Sequence, residues 1–365
     1  MKNYVTLGEV CSKGSSNIAQ KDIEHSNGEY AIYGASGYIK NVDFYHQDSS
    51  YVAVVKDGAG IGRTMLLPAK TSVIGTMQYL IPNELVDVKY LYYAVTFMNL
   101  SKYYSGAAIP HIYFKDYRKE KLPLPTYEEQ QEIISILNRI DNLIYICITL
   151  CNRFDLLVKS RFVEMFGDPI LNPKGWEMTT IGEIVTEVKY GTSRPAIDGG
   201  KYAYLRMNNL TYDGYLDLAD LKRIDIPDSE IEKCIVRKGD VLFNRTNSIE
   251  LVGKTCVFDK DEDMIIAGYI IRVRLKPVML PLIMSYFMNT DALKKKLRSM
   301  AKGAVNQANI NAQELKAIKI YLPPTDLQQQ FADFVAQTDK SKLVVKKQIE
   351  KLETLKKSLM QEYFG

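Results

Sequence analysis

The sequence holds 365 residues, 46% hydrophobic and 25% charged, which excludes a disordered or fibrous chain and leaves room for two or three folded regions. Its 47 Lys and Arg outweigh 43 Asp and Glu by four charges, a mild basicity that permits a nucleic-acid partner but that solvated lysines explain equally well. Five cysteines (Cys11, Cys147, Cys151, Cys234, Cys256) form no Cys-x-x-Cys pair and three histidines offer no zinc set, so no metal or other cofactor is expected. The thiols are expected to be free, as in a reducing compartment. The opening MKNYVTLGEV has no signal-peptide core and no apolar run approaches a membrane span, so the expected setting is the cytoplasm, away from membranes.

In chain order, the first unusual stretch is SYVAVVKDGAGIGRT, Ser50 to Thr64, which looks like a strand feeding a phosphate-binding glycine loop. A dinucleotide fold needs a helix straight after the glycines and an acidic residue about twenty positions later. Here Pro68 forbids a long helix, and the Val, Ile, Thr and Tyr that follow favour strands. A Walker loop fails too, because Asp57 stands five positions before Gly62 and Arg63 follows it. The glycines are therefore read as shaping a turn. His111, in SGAAIPHI, reads as a cap or turn residue or as a site residue.

Tyr127 to Phe166 contains no Pro or Gly and predicts one helix, about 60 Å long at about 1.5 Å per residue. Pro125 and Thr126 mark its start, Glu128 and Glu129 suit the first turn, and Gly167 followed by Pro169 stops it. Ile133, Ile136, Ile140, Leu143, Cys147, Leu150, Phe154 and Leu157 keep the 3-4 spacing of a coiled-coil seam.

The second half repeats this plan. A shift of 198 residues carries Gln130 and Gln131 onto Gln328 and Gln329, Asp141 onto Asp339, and KSRFVEMFG (159–167) onto KSLMQEYFG (357–365). The matching seam positions include Phe331, Phe334, Val345, Leu352 and Leu355, and the two helices are expected to pack antiparallel. Upstream, TLGEV at Thr6 resembles TIGEI at Thr180, a shift of 174, so the second globular region is 24 residues longer than the first. The chain stops at the position equivalent to Gly167, a cyclic order that suggests a pseudo-twofold object with neighbouring termini.

DVLFNRTNSIELVGKTCVF (240–258) takes the place of the glycine-rich stretch. In both halves a strand enters a polar loop closed by Gly-[Arg/Lys]-Thr. The contents differ: Lys56 and Arg63 in the first, Asn244, Arg245, Thr246, Asn247, Ser248 and Lys254 in the second. Such side chains suit base edges and phosphates, and a solvated turn explains them as well. Asn309 aligns with His111, and the run from Lys294 through Lys295, Arg298 and Lys302 suits phosphate contact or plain solvation. Arg194 completes the candidates.

The doubled LP-x-P and EQQ/QQQ openings, the doubled KS…FG helix ends and FNRTNSIELVGKT together resemble the specificity subunits of type I restriction-modification systems, across essentially the whole chain. The resemblance implies an α+β fold with two mixed α/β target recognition domains, 1–121 and 168–321, separated by two long helices, 122–167 and 322–365, forming an antiparallel coiled coil. It implies double-stranded DNA with a bipartite site as ligand, one half read by each domain. The helices would set half-site spacing and dock two modification subunits, and a restriction-translocase subunit would join them. The chain would be non-catalytic, in keeping with the lack of an Asn/Asp-Pro-Pro-Tyr/Phe methylation motif. A self-sufficient DNA methyltransferase with atypical motifs and a coiled-coil adaptor without a DNA role are the rival readings.

Overall fold

The computed structural model describes residues 3–106, 110–304 and 307–365, without the side chains of 302–304. Helices used below are α1 (Val88–Met98), α2 (Tyr127–Phe166), α3 (Pro281–Met288), α4 (Asp291–Met300) and α5 (Thr325–Phe364). The chain divides into two units. Unit 1 comprises Met1–Thr149 with Val345–Gly365, and unit 2 is Leu150–Val344, so each long helix gives one half to each unit.

Unit 1 is built on an antiparallel sheet in the order Cys11–Ser15, Met77–Pro82, Tyr51–Val55, Thr64–Leu67. Its central strand, YVAVV, is buried at every position, which is why it reads as an unbroken apolar run. A second sheet pairs Tyr30–Gly34 with Gly37–Val42 and, in parallel, with Ser72–Val73. Unit 2 repeats this topology. Val185–Tyr190, Ile270–Leu275, Val241–Asn244 and Thr255–Val257 form the first sheet, and Tyr202–Leu205 pairs with Lys222–Ile224 and, in parallel, with Met264–Ile266. Where unit 1 turns tightly from Gly34 to Gly37, unit 2 inserts the long connection between Leu205 and Lys222. Much of the extra length expected from the repeat shift lies there.

A two-stranded ribbon closes each unit against its helix. Tyr4–Thr6 pairs with Lys121–Pro123 in unit 1, and Glu177–Thr180 pairs with Lys319–Leu322 in unit 2. In unit 1 the Tyr4 hydroxyl donates to the carbonyl of Gly365 at 3.2 Å, and in unit 2 the Tyr321 hydroxyl donates to that of Gly167 at 3.1 Å. The glycines are equivalent, but the tyrosines come from opposite strands, since Tyr4 faces Pro123 and Tyr321 faces Met178.

The repeated glutamines explain the helix starts. Gln130 and Gln328 are 1% and 0% exposed. Gln130 donates to the carbonyls of Leu85 and Pro125 at 3.0 and 3.2 Å and accepts from the Asp87 amide at 2.9 Å. Gln328 donates to Val278 and Pro323 at 3.0 and 2.9 Å and accepts from the Leu280 amide at 2.8 Å. Each thus pins the first turn of a long helix to the residues that open α1 or α3.

Within each unit the α2 and α5 segments pack antiparallel. Ile134, Leu137, Met360 and Phe364 share the unit 1 core, and Val158, Phe162, Phe166, Phe331 and Val335 share the unit 2 core. Lys356 pairs with Asp141, and Lys342 with Asp155. Asp155 lies two heptads after Asp141 and Lys342 two heptads before Lys356, as antiparallel heptad pairing requires. Of the expected seam, Ile140, Phe331 and Leu352 are buried, and Ile133, Phe154, Phe334 and Val345 are half-buried. Ile136, Leu143, Leu150 and Leu157 are instead exposed, at 39, 48, 38 and 49%, as is Leu355. The reason is a second apolar row beside the first: Ile134, Leu137, Ile144, Cys151 and Val158 sit at neighbouring positions and face inward. The doubled row also makes Tyr127–Phe166 long and apolar enough to cross a membrane by length and composition alone, contrary to the expectation that no run comes close.

Replacing Gln328 or Gln130 by Met removes three hydrogen bonds from a buried position. Each is expected to cost about 2–5 kcal/mol, and the two costs should add because the residues share no partner. Urea titration of both single variants and the double variant measures this.

Candidate nucleic-acid interface

In unit 1 the strand Tyr51–Val55 leaves the sheet and returns as Thr64–Leu67, with the amide of Gly62 bonded to the carbonyl of Val55 at 2.8 Å and that of Val55 to Arg63 at 2.9 Å. In unit 2 the amide of Gly253 bonds to Asn244 at 2.9 Å, and that of Asn244 to Lys254 at 2.8 Å. The two hairpin loops therefore share one closing geometry. Both closing glycines have positive φ, +80° and +83°. A Cβ at Gly62 would lie 2.4 Å from the Ser101 amide nitrogen, so there both backbone shape and space demand glycine; at Gly253 it would meet Leu297 Cδ1 at 2.6 Å, and the positive φ is what demands glycine.

A second segment flanks each loop. The amide of Ile112 bonds to the carbonyl of Lys56 at 3.0 Å, and that of Ile310 bonds to Arg245 at 2.9 Å. His111 then meets Asp57 through its Nδ1, while in unit 2 the Thr246 hydroxyl donates to Asn309 Oδ1 at 2.8 Å. The pairing of His111 with Asn309 read from the repeat is a pairing of structural positions. Residues 107–109 and 305–306, within the two flanking segments, lie outside the described residues, as does the Lys302 side chain.

The electrostatics of the two loops differ. Lys56 lies 3.8 Å from Asp57, which also holds His111, so this one of the first loop's two cations is balanced within the loop. Arg63 is exposed and donates to the Ala35 carbonyl at 3.1 Å. Arg245 lies 4.9 Å over the Tyr190 ring and donates to Gly268 at 3.3 Å, with no carboxylate against it among the described residues.

Two expected contact residues of unit 2 turn inward. Asn244 is 0% exposed and donates to the carbonyls of Thr246 and Tyr269 at 3.1 and 3.0 Å, while Asn247 donates to its Oδ1 at 2.8 Å. It holds the loop's shape. Lys254 is 6% exposed, donates to the Met207 carbonyl at 2.7 Å, and its ammonium pKa is lowered by burial. Met207 belongs to the connection that unit 1 lacks, which is why Lys254 is covered while its counterpart Arg63 is not. Thr246 is also buried, and Asn247 and Ser248 are half-buried at the loop's outer part.

On α4, Lys295 points to solvent and Arg298 donates to the Tyr212 hydroxyl at 2.7 Å. Lys294, of the same run, is 6% exposed, donates to the Tyr212 carbonyl and lies 3.4 Å over that ring. The loop touches α4 through Gly253 and Leu297.

On its other side the loop borders a cleft of about 720 Å³ inside unit 2. Arg194 and Arg245, far apart in sequence, both line it, together with Arg206, Lys233, Asn208 and Tyr269. Arg194 is held by Glu230 through contacts of 2.7 and 3.3 Å, and Arg206 by Asp220 at 2.7 Å. Arg206, Asn208 and Lys233 were not singled out from the sequence. They lie in the region where the repeat alignment has most extra length, so the first half offered no counterpart to flag them. A concave, cationic, tyrosine-bearing surface beside a polar loop suits a polyanion whose base edges or base faces are accessible.

A sequence model for the type I restriction modification DNA specificity domain matches residues 2–149 and 173–354. A Methanocaldococcus jannaschii protein named for the MjaX type I restriction enzyme specificity subunit is 30% identical over 200 residues, covering 53% of this chain but only 46% of that protein. The type I restriction enzyme MjaVIII specificity subunit of the same organism is 25% identical over 332 residues, 85% of this chain and 77% of that one. In fold, the chain is similar to the crystal structure of a type I restriction-modification system S subunit from M. genitalium. That likeness has a TM-score of 0.55 at 15% identity and covers 100% of this chain and 96% of that one.

Burial of Lys294 lowers its ammonium pKa to about 8. Folding therefore disfavours its charged form, a penalty present in full below pH 8 and relieved as pH climbs from about 8 toward the unfolded value near 10.5. Between pH 7 and pH 9.5 the unfolding free energy of the native chain is expected to gain about 1–2 kcal/mol on that of Lys294→Met. Paired denaturation curves at the two pH values measure the difference.

Proposed function

We propose that the chain, which belongs to the family of type I restriction modification DNA specificity domains, is the sequence-reading subunit of a restriction-modification complex. Each unit reads one half of a bipartite duplex site. The observation that carries this is the shared hairpin frame with unlike contents: one closing geometry around Gly62 and Gly253, balanced Lys56-Asp57-His111 in one loop, and in the other Arg245 with no carboxylate against it among the described residues. Two frames of equal shape and different chemistry are what two readers of different sequences need, since base edges discriminate through donor and acceptor pattern. Within this reading Lys56, Arg63, Arg194, Arg245, Asn247 and Ser248 face DNA, Lys295, Arg298 and Lys302 meet phosphates, and His111, Asn244, Thr246 and Lys254 hold the loops in shape.

The chain brings no chemistry of its own in this proposal. Methylation and cleavage come from partner subunits, two for modification and one for restriction and translocation. Ile136 and Leu143 in unit 1, and Leu150 and Leu157 in unit 2, are apolar surface left free by the helix pairing within each unit, and each pair fits a partner helix. The continuous α2 and α5 set the spacing between half-sites.

Exchanging the loop tip, residues 247–251, for that of another specificity subunit is expected to alter one half of the methylated motif and leave the other intact. Methylome sequencing decides it; both halves changed, or neither, counts against the division of labour. The combined substitutions Leu143→Glu and Leu157→Glu are expected to leave the melting temperature of the isolated chain within about 2 °C while abolishing co-purification with the modification subunits. Intact assembly at full yield would refute the use of those pairs.

A further inference from the structure

The assignment here rests on the DNA-reading function proposed above and concerns which base the second unit reads, and with what. Arg245 follows the last residue of the strand Val241–Asn244. Its backbone is fixed from both sides: its amide bonds to the Tyr269 carbonyl and its carbonyl accepts from the Ile310 amide, each at 2.9 Å. Its guanidinium is fixed too, 4.9 Å from the Tyr190 ring centroid, with Nη1 donating to Gly268 at 3.3 Å. The Nε atom is buried and has no partner among the described residues.

A planar cation stacked on an aromatic ring and half-withdrawn from water has already lost most of the rotamer freedom that binding would otherwise remove. No protein carboxylate compensates it among the described residues, whereas its neighbours in the cleft are compensated, Arg194 by Glu230 and Arg206 by Asp220. Arg245 lines the cleft. The acceptor that best completes a fixed planar fork is an edge with two coplanar acceptors, which in the major groove only guanine offers, through O6 and N7. A phosphate also accepts a planar fork but carries no base identity, so the two ligands are separated by whether the loss on substitution falls on one base or on every sequence alike.

We infer that Arg245 reads a guanine in the half-site of unit 2, with Tyr190 and Gly268 holding its guanidinium in the reading plane. The equivalent position in unit 1, Lys56, is a point charge drawn to Asp57 and cannot make the same forked contact. The two half-sites therefore differ at this position.

The test is selection of bound duplexes from a randomised double-stranded library by the full chain, native or carrying Arg245→Lys or Arg245→Gln. Melting curves serve to confirm folding. The native chain is expected to select a bipartite motif with one guanine whose preference falls by about tenfold to a hundredfold in both variants, Lys included, while the other positions hold. If Arg245→Lys keeps the native motif, or if both variants weaken binding to every sequence alike, Arg245 is a phosphate contact and the inference is overturned. If the native chain selects no motif at all, the DNA-reading function itself fails. If Tyr190→Ala leaves the guanine preference untouched, the ring does not orient the reader and that part of the assignment falls.

Discussion

One buried side-chain amide in each half governs how the globular regions meet their helices. Gln130 and Gln328 sit where α2 and α5 begin, and each satisfies two carbonyls and one amide that would otherwise be stranded away from water. Only glutamine offers two donors and an acceptor at the end of a stem that long. Buried polar groups of this kind contribute modestly when complete and cost heavily when broken, so they specify one arrangement rather than add much stability. The helix start and the entry of α1 or α3 are thereby locked together.

On this common frame, the two loops diverge through what surrounds them. The connection between Leu205 and Lys222 is the main physical cause. Its carbonyls at Met207 and Tyr212 accept the ammonium groups of Lys254 and Lys294, drawing two cations into the interior that composition alone would place at the surface. It also supplies Arg206 and Asn208 to the cleft beside Arg245. Unit 1 has a four-residue turn instead, so Arg63 stays in solvent. The same backbone plan thus presents a loop with Lys56 balanced by Asp57 and Arg63 in solvent in one half, and a loop beside a cationic cleft in the other.

Much of this was legible in the sequence. The constant shift between the glutamine-led helices fixed their ends, and the glycine before Arg63 or Lys254 located both hairpins, because positive φ and close packing leave a clear residue signature. The row of α2 that faces inward was not legible. Apolar residues occupy adjacent positions, Ile136 beside Leu137, Leu143 beside Ile144, Leu157 beside Val158, and 3-4 spacing cannot tell neighbouring rows apart. Nor could residue type reveal that Asn244 and Lys254 turn inward. Their burial depends on Tyr269 and Met207, partners distant in sequence that pattern alone does not bring together.

The two tyrosines that cap the helix-end glycines carry a further implication. Unit 1 takes its tyrosine from the first strand of the closing ribbon and unit 2 takes it from the second, yet each donates to the same carbonyl position. What persists between the halves is the hydrogen bond, not the residue that makes it. A chimera that joined the first strand of one half to the second strand of the other would hold either Tyr4 with Tyr321, two rings competing for one carbonyl, or Met178 with Pro123 and no donor at all. The ribbon's two strands, some 120 to 140 residues apart along the chain, are therefore matched to each other within each half.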